Sequence, residues 1–319
     1  MGKSTTLNLL KATAFAATLL LGGNAFAADK PVFASIVFQG DQFMQSLQKG
    51  IREEAESGGA EVLEINVDGD QAREIQAIDT YIERGVDAII VAPLSATNSA
   101  SALKRARDAG IVVIALNGGL TDSTIANATF STANVDLGLS TGGEAAKFIA
   151  KNMGGKANVA ILAFSSLLPE QSGARKDGFR ENAAKGNDIT FVTDQDAWVP
   201  EKAVTVATDI MTAHPEVNLF YAANEGGTVG AMQAVRNAGR AGEVFVFGID
   251  GSEQLAKGLL AGDNVLQAVT AQAPELMGKQ GVQAAFDILA GKSVTQNTTV
   301  PALLLSRGNK DGIMKFLGQ

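Results

Sequence analysis

The chain of 319 residues contains no cysteine, a single histidine and a single tryptophan. Without cysteine there are no disulfides, so stability has to come from large apolar cores. A thioether-linked lipid anchor is excluded for the same reason. A lone histidine with no thiol leaves no nucleophile–base triad and no zinc cluster. His214 precedes Pro215 at a predicted helix end, where a capping or surface role suits it. Basic side chains are scarce as well, 26 Lys and Arg against 34 Asp and Glu, for a net charge of −8. Phosphate backbones and anionic membranes bind basic surfaces, so this balance argues against nucleic acid or a membrane surface as partner. After the first residues no apolar run reaches the roughly 18 residues of a membrane span. Proline is sparse too, with 7 residues, and no Pro- or Ser-rich linker divides the chain.

What the chain does have begins with a leader. Lys3 and Lys11 frame a positive segment, Ala12 to Leu21 is apolar but too short to span, and Ala25-Phe26-Ala27 supplies a small-x-small cleavage site. The expected reading is a secretory signal over residues 1–27, cut after Ala27, and a mature protein in the periplasm with a charge of about −10. A myristoylation-like Met1-Gly2 with Thr6 and a fragment of a phosphate loop, Gly2-Lys3-Ser4, fall inside this leader and are read as coincidental.

Beyond the leader, short runs rich in Val, Ile and Ala alternate with amphipathic stretches. PVFASIVF, AEVLEINV, DAIIVAP and IVVIALN read as strands, with helices over 41–57, 71–84 and 99–108 between them. Gly85 and Gly110 supply helix C-terminal signals. A second series follows: KANVAILAF, ITFVTDQ, NLFYAAN, VFVFGID and NVLQAVTAQ, with helices over 171–184, 201–212, 227–238 and 254–260. Continuous apolar strands are those covered on both faces, so the fold class is α/β, two doubly wound parallel-sheet domains.

In such sheets ligands bind beyond the carboxyl ends of the strands. The residues there are Asp41, Phe43 and Met44 after the first strand, Asn117 after the fourth, then Ser165 to Glu170, Trp198, Asn224 with Glu225, Asp250 and Gln272. Carboxylates and amides donate or accept in fixed directions, which suits hydroxyl groups. Trp198 lies in a polar stretch, TDQDAWVPEK, and its flat face suits the C–H side of a sugar ring. The plain alternative for the carboxylates and amides is helix N-capping, strongest for Asp250 before Gly251. For Arg175 it is an exposed helix cation near Asp177.

These residues, taken in order, resemble the pentose- and hexose-binding periplasmic proteins of ABC importers, the ribose- and galactose-binding group of type I periplasmic binding proteins. The resemblance covers nearly the whole mature chain. It rests on Asp41-Gln42-Phe43-Met44 leading into Leu47-Gln48-Lys49-Gly50, on Arg175-Lys176-Asp177-Gly178-Phe179, and on Trp198 counted back from Ala213-His214-Pro215. It continues in Asn224 of YAANEGGTVGAMQAV, Gly248-Ile249-Asp250-Gly251, and Gln272 of AVTAQAPELMG.

The resemblance implies a sugar site in an interdomain cleft. Phe43 and Trp198 would clamp the ring, Asp250, Asn224 and Arg175 would bind hydroxyls from the C-terminal domain, and Asp41 and Asn117 from the N-terminal one. Hinge crossings are expected near 131–134, 270–273 and 299–302. That gives an N-terminal domain of 28–131 plus 273–301 and a C-terminal domain of 132–272 plus 302–319. The implied partners are a monosaccharide and an ABC permease complex in the inner membrane, the protein being a monomer without cofactor or metal.

Departures from the family pattern bear on the ligand. Asn117-Gly118 stands where many members have an Asp-Arg pair, Asp41 where asparagine is common, Met44 in place of a second aromatic, and Glu225 in place of an aspartate. The cleft is expected to be poor in cations, leaving a hexose or pentose, an amino sugar or an alditol open as the ligand. Three alternatives share some of these features. A glycoside hydrolase would use a carboxylate pair, but Asp41 and Asp250 fall on opposite domains. A lactose-repressor-like regulator needs a helix-turn-helix where this chain has its leader. A periplasmic sensor that presents the sugar to a chemoreceptor or sensor kinase would use the same binding chemistry.

Overall fold

The computed structural model describes residues 1–2 and 30–318; the leader, from Lys3 to its cleavage site, lies outside the described residues. The chain runs β1 (Val32–Val37), α1 (Gln42–Ser57), β2 (Glu61–Asn66), α2 (Gln71–Arg84), β3 (Ala88–Val91), α3 (Ala100–Asp108), β4 (Val112–Leu116) and β5 (Ala128–Ser131). It continues through α4 (Asn134–Asn152), β6 (Lys156–Ala163), α5 (Pro169–Ala183), β7 (Asp188–Asp196), α6 (Pro200–Ala213), β8 (Leu219–Ala222), α7 (Glu225–Asn237), β9 (Phe245–Ile249), α8 (Glu253–Leu260) and β10 (Leu266–Ala271). The last elements are α9 (Pro274–Leu289), β11 (Asn297–Thr299), β12 (Leu303–Ser306) and α10 (Lys310–Phe316).

These strands form two six-stranded sheets, ordered β11-β5-β4-β3-β1-β2 and β12-β10-β9-β8-β6-β7. The first is parallel throughout, and the second is parallel except for β12, which runs antiparallel to β10. The two α/β domains read from the sequence are therefore present. The central strands bury every residue, AIIV in β3 and VVIAL in β4, because helices cover both faces. Edge strands such as β2, EVLEIN, keep polar positions at least partly exposed. The chain passes between the sheets after β5 into α4, which packs on β9 and β10, then after β10 into α9, which packs on β4 and β5, and last between β11 and β12.

In each sheet the strand order reverses beside the first strand, between β1 and β3 and again between β6 and β8. Loops leaving adjacent strands on either side of such a switch diverge to opposite faces and leave a crevice at the carboxyl ends. Both crevices belong to one cavity described below. Helix packing within the second lobe positions one wall of that cavity. A Cβ on Gly138 of α4 would stand 2.1 Å from the carbonyl oxygen of Arg175, and one on Gly178 of α5 would stand 2.3 Å from that of Val135. Glycine at both positions lets α4 and α5 meet backbone to backbone, and this sets where Arg175 sits.

Candidate functional site

The first lobe contributes side chains from the loops after β1 and β4. Asp41 is the N-cap of α1, its Oδ1 accepting from the Met44 N–H at 2.9 Å, and Gln39 Nε2 donates to its other oxygen. The cap fixes the first turn, so that Phe43, 8 % exposed, and the fully buried Met44 face inward. Asn117 follows β4 with φ 63°, a left-handed conformation that asparagine tolerates better than most residues. Its backbone N–H donates to the Phe130 carbonyl at 2.9 Å. Its side-chain Oδ1, by contrast, is buried with no hydrogen-bond partner among the described residues. An unpaired buried acceptor costs about 1–3 kcal/mol, so the position is held against a real penalty.

The second lobe supplies the cation. Arg175 is 4 % exposed and not the surface residue of the plain alternative. Its Nε donates to Asn134 Oδ1 at 2.8 Å and its NH1 to the Ala223 carbonyl at 2.9 Å, while the guanidinium lies 5.2 Å from the centre of the Phe164 ring. The NH1 atom is 3.8 Å from Asp250 Oδ2. Behind it Tyr221, stacked on Phe179 at 3.9 Å, donates its hydroxyl to the Arg175 carbonyl at 3.2 Å. Only two of the roughly five N–H donors of a guanidinium are used by these hydrogen bonds.

Asp250 departs from the capping expectation. It adopts φ 74° and turns its carboxylate away from α8, whose cap is Ser252. Asp250 Oδ2 accepts from the Glu225 N–H at 3.0 Å and Oδ1 from Gln272 Nε2 at 2.7 Å. Asn224 does cap α7, accepting from the Gly227 N–H at 3.1 Å, and its Nδ2 donates to the Trp198 carbonyl at 2.9 Å. Capping and lining the cavity are thus compatible at Asp41 and Asn224, where one side-chain atom caps the helix and the other makes a second contact, with Gln39 and with the Trp198 carbonyl. Trp198 is half-buried in the loop between β7 and α6, with Lys202 Nζ 5.9 Å from the centre of its ring system. Gly226 makes room for that loop, since a Cβ there would stand 2.1 Å from the Trp198 carbonyl oxygen.

Asp41, Phe43, Met44, Asn117, Arg175, Trp198, Asn224, Asp250 and Gln272 all line a single cavity between the lobes, about 370 Å³ of non-atom space partly open to solvent. Leu167 and Leu168, from the strand-end stretch Ser165 to Glu170, line it as well, and so do Phe38, Gln39, Phe164 and Gln171, which were not singled out from the sequence. Phe38 and Phe164 directly follow β1 and β6, so the strand-end rule alone finds them. Gln171 sits in the first turn of α5 and carries no comparable signal. Glu170 is exposed and not among the lining residues. Glu225 lines an adjoining chamber together with Asp41, Asp68 and Trp198.

The electrostatics follow from burial. Burial raises the Asp41 carboxyl above its usual range, with the Met44 N–H opposing and the nearby Asp250 adding to the rise. Glu225 is pushed up to about 7, again chiefly by burial, with a hydrogen bond from Ser252 opposing and Asp250 and Asp41 adding. Carboxylates from both lobes therefore face one another, and among the described residues Arg175 is the only cation lining the main cavity. Directional donors and acceptors between aromatic faces can hold a small polyhydroxylated molecule.

Two α/β lobes whose strand ends converge on one polar cavity define a cleft-type solute receptor. The chain belongs to the periplasmic binding proteins, a family of binding proteins and not enzymes: residues 32–293 match the family model described as a periplasmic binding protein domain. It is 30% identical over 264 residues to the ribose import binding protein of Bacillus subtilis, covering 82% of each chain. It is 28% identical over 277 residues to the D-allose-binding periplasmic protein of Escherichia coli, covering 84% of this chain and 87% of that one. Among solved structures, an ABC transporter periplasmic solute binding protein of Actinobacillus succinogenes with bound D-allose superposes with a TM-score of 0.81. That structure is 26% identical and covers 90% of this chain and 100% of its own.

Proposed function

We propose that the protein is the solute-binding component of an ABC sugar importer and takes one monosaccharide or alditol into the cavity between its lobes. The observation that carries this reading is the arrangement of that cavity. Polar side chains from both lobes, Asp41 and Asn117 on one side and Arg175, Asn224, Asp250 and Gln272 on the other, surround a space flanked by Phe43 and Trp198. The unpaired Asn117 Oδ1 is suited to accept from a ligand hydroxyl.

Around this core the finer assignments are these. The protein is exported and cut after Ala27, works in the periplasm as a monomer, and hands its sugar to a permease complex in the inner membrane. Its domains are 28–131 with 273–301 and 132–272 with 302–319, hinged at the three crossings. Ligand binding draws the domains together and the closed form is what the permease recognises. The excess of carboxylates over cations favours a sugar that carries an amine. A thermal-shift screen of the mature protein against pentoses, hexoses, amino sugars and alditols tests the reading, because a ligand that binds only the folded form raises the melting temperature. A screen in which no sugar or alditol moves the transition contradicts it. Neutral hexoses that bind as tightly as their amino counterparts contradict the amine preference alone.

A further inference from the structure

Gly118 follows Asn117 at the end of β4, in the first lobe. A Cβ built on Gly118 would stand 2.9 Å from Nε2 of Gln171. Gln171 belongs to the second lobe, in the first turn of α5, and lines the cavity. Its amide therefore occupies the place that a side chain at position 118 would take, and reaches it across the cleft. Beside Gly118, Oδ1 of Asn117 is buried without a donor.

We propose that Gln171 is a specificity-determining residue of this cavity: its amide stands in for the side chain that Gly118 lacks and, with Asn117, reads one hydroxyl of the bound sugar or alditol. The inference rests on the sugar-binding reading given above. A primary amide offers an acceptor and two donors without charge, which matches a hydroxyl that both donates and accepts. Because the amide comes from the lobe opposite Asn117, the hydroxyl is read only when the two lobes are together.

The pair Gly118 and Gln171 makes the inference testable. Gly118→Ala places a methyl group 2.9 Å from Nε2, too close for the amide to stay, and the atom that must yield is the end of a flexible side chain, not backbone. Gly118→Ala and Gln171→Ala should therefore remove the same interaction and be strongly non-additive. Calorimetry of the mature protein with D-ribose, D-allose and xylitol selects the probe that binds, and that probe is then titrated into the variants. The expected result is about tenfold weaker binding for each single variant and no further loss in the double variant, with melting temperatures of the unliganded proteins unchanged. Among monodeoxy forms of the probe, one should bind the native protein about tenfold more weakly than the parent, yet bind Gln171→Ala as well as the parent does. Native affinity in Gln171→Ala, losses that multiply in the double variant, or deoxy penalties identical in both proteins would each overturn the assignment while leaving the sugar reading intact. A native protein that binds none of these probes or their relatives overturns the sugar reading, and this assignment with it.

Discussion

Replacing Trp198 with alanine separates a ligand platform from a packing residue. The indole is half-buried, and the loop that carries it is held through its backbone, by Asn224 Nδ2 on the Trp198 carbonyl at 2.9 Å. Removing the side chain leaves that hydrogen bond in place. The one cation over the ring, Lys202 at 5.9 Å, is an exposed side chain, and such contacts contribute about 0.5–1 kcal/mol. Folding should therefore be affected only slightly. Binding should not be spared. A sugar C–H face laid on the indole removes on the order of 50 Å² of apolar surface from water, worth about 1.2 kcal/mol. Stacking geometry adds about 0.5–1.5 kcal/mol if it resembles an aromatic pair. The total corresponds to roughly a twenty- to hundredfold increase in Kd. Calorimetry on Trp198→Ala measures this, and because the chain has one tryptophan, the emission of the native protein should change as the same sugar is added. A Trp198→Ala variant that keeps full affinity would refute the platform.

Other perturbations address the remaining walls. Arg175→Ala leaves Asp250 buried 3.8 Å from the lost cation and orphans the Ala223 carbonyl and Asn134; it should cost about 3–5 kcal/mol of stability and abolish binding, and an unchanged melting temperature would contradict the buried pairing. Gly226→Ala drives a methyl group into the Trp198 carbonyl, so it should cost about 1–3 kcal/mol through a displaced loop and weaken binding in step with Trp198→Ala. Glu225 keeps its proton up to about pH 7 when folded and only to about 4.5 when unfolded. The folded state thus binds more protons between those values, and stability falls as pH rises through them. Glu225→Gln should flatten that part of the profile, measured as melting temperature against pH; a slope identical to the native one would show that Glu225 does not titrate as its burial requires.

Much of this arrangement was readable in the sequence because parallel strands covered on both faces are continuous apolar runs, and because strand ends are where such sheets bind ligands. The plain capping alternatives did not compete with the site: Asp41 and Asn224 cap helices and line the cavity at once. The omissions have physical causes. The segment β5–α4 escaped notice because Gly138, Gly142 and Gly143 interrupt the apolar pattern of α4, although the first two are what let α4 approach α5. Helix α9 carries Gly278 for the same kind of contact, with the Leu47 carbonyl of α1, and Gly281 to clear the Leu116 side chain of β4. Strands β11 and β12 are only three and four residues long, β11 with no buried residue and β12 with two, so they lack the long buried signature. Gln171 is a polar residue in a helix's first turn, and only the approach of the two lobes across Gly118 gives it meaning.

The central claim is that the cavity between the lobes holds one sugar or alditol molecule. Calorimetric titration of the mature protein with the best ligand from the thermal-shift screen tests it most directly. The expected result is one site per chain with a Kd of about micromolar or tighter, near 8 kcal/mol of binding free energy, and a matching change in Trp198 emission. Saturable binding of a sugar that leaves the tryptophan emission unchanged and survives Arg175→Ala and Trp198→Ala, or no binding of any sugar or alditol, would contradict it.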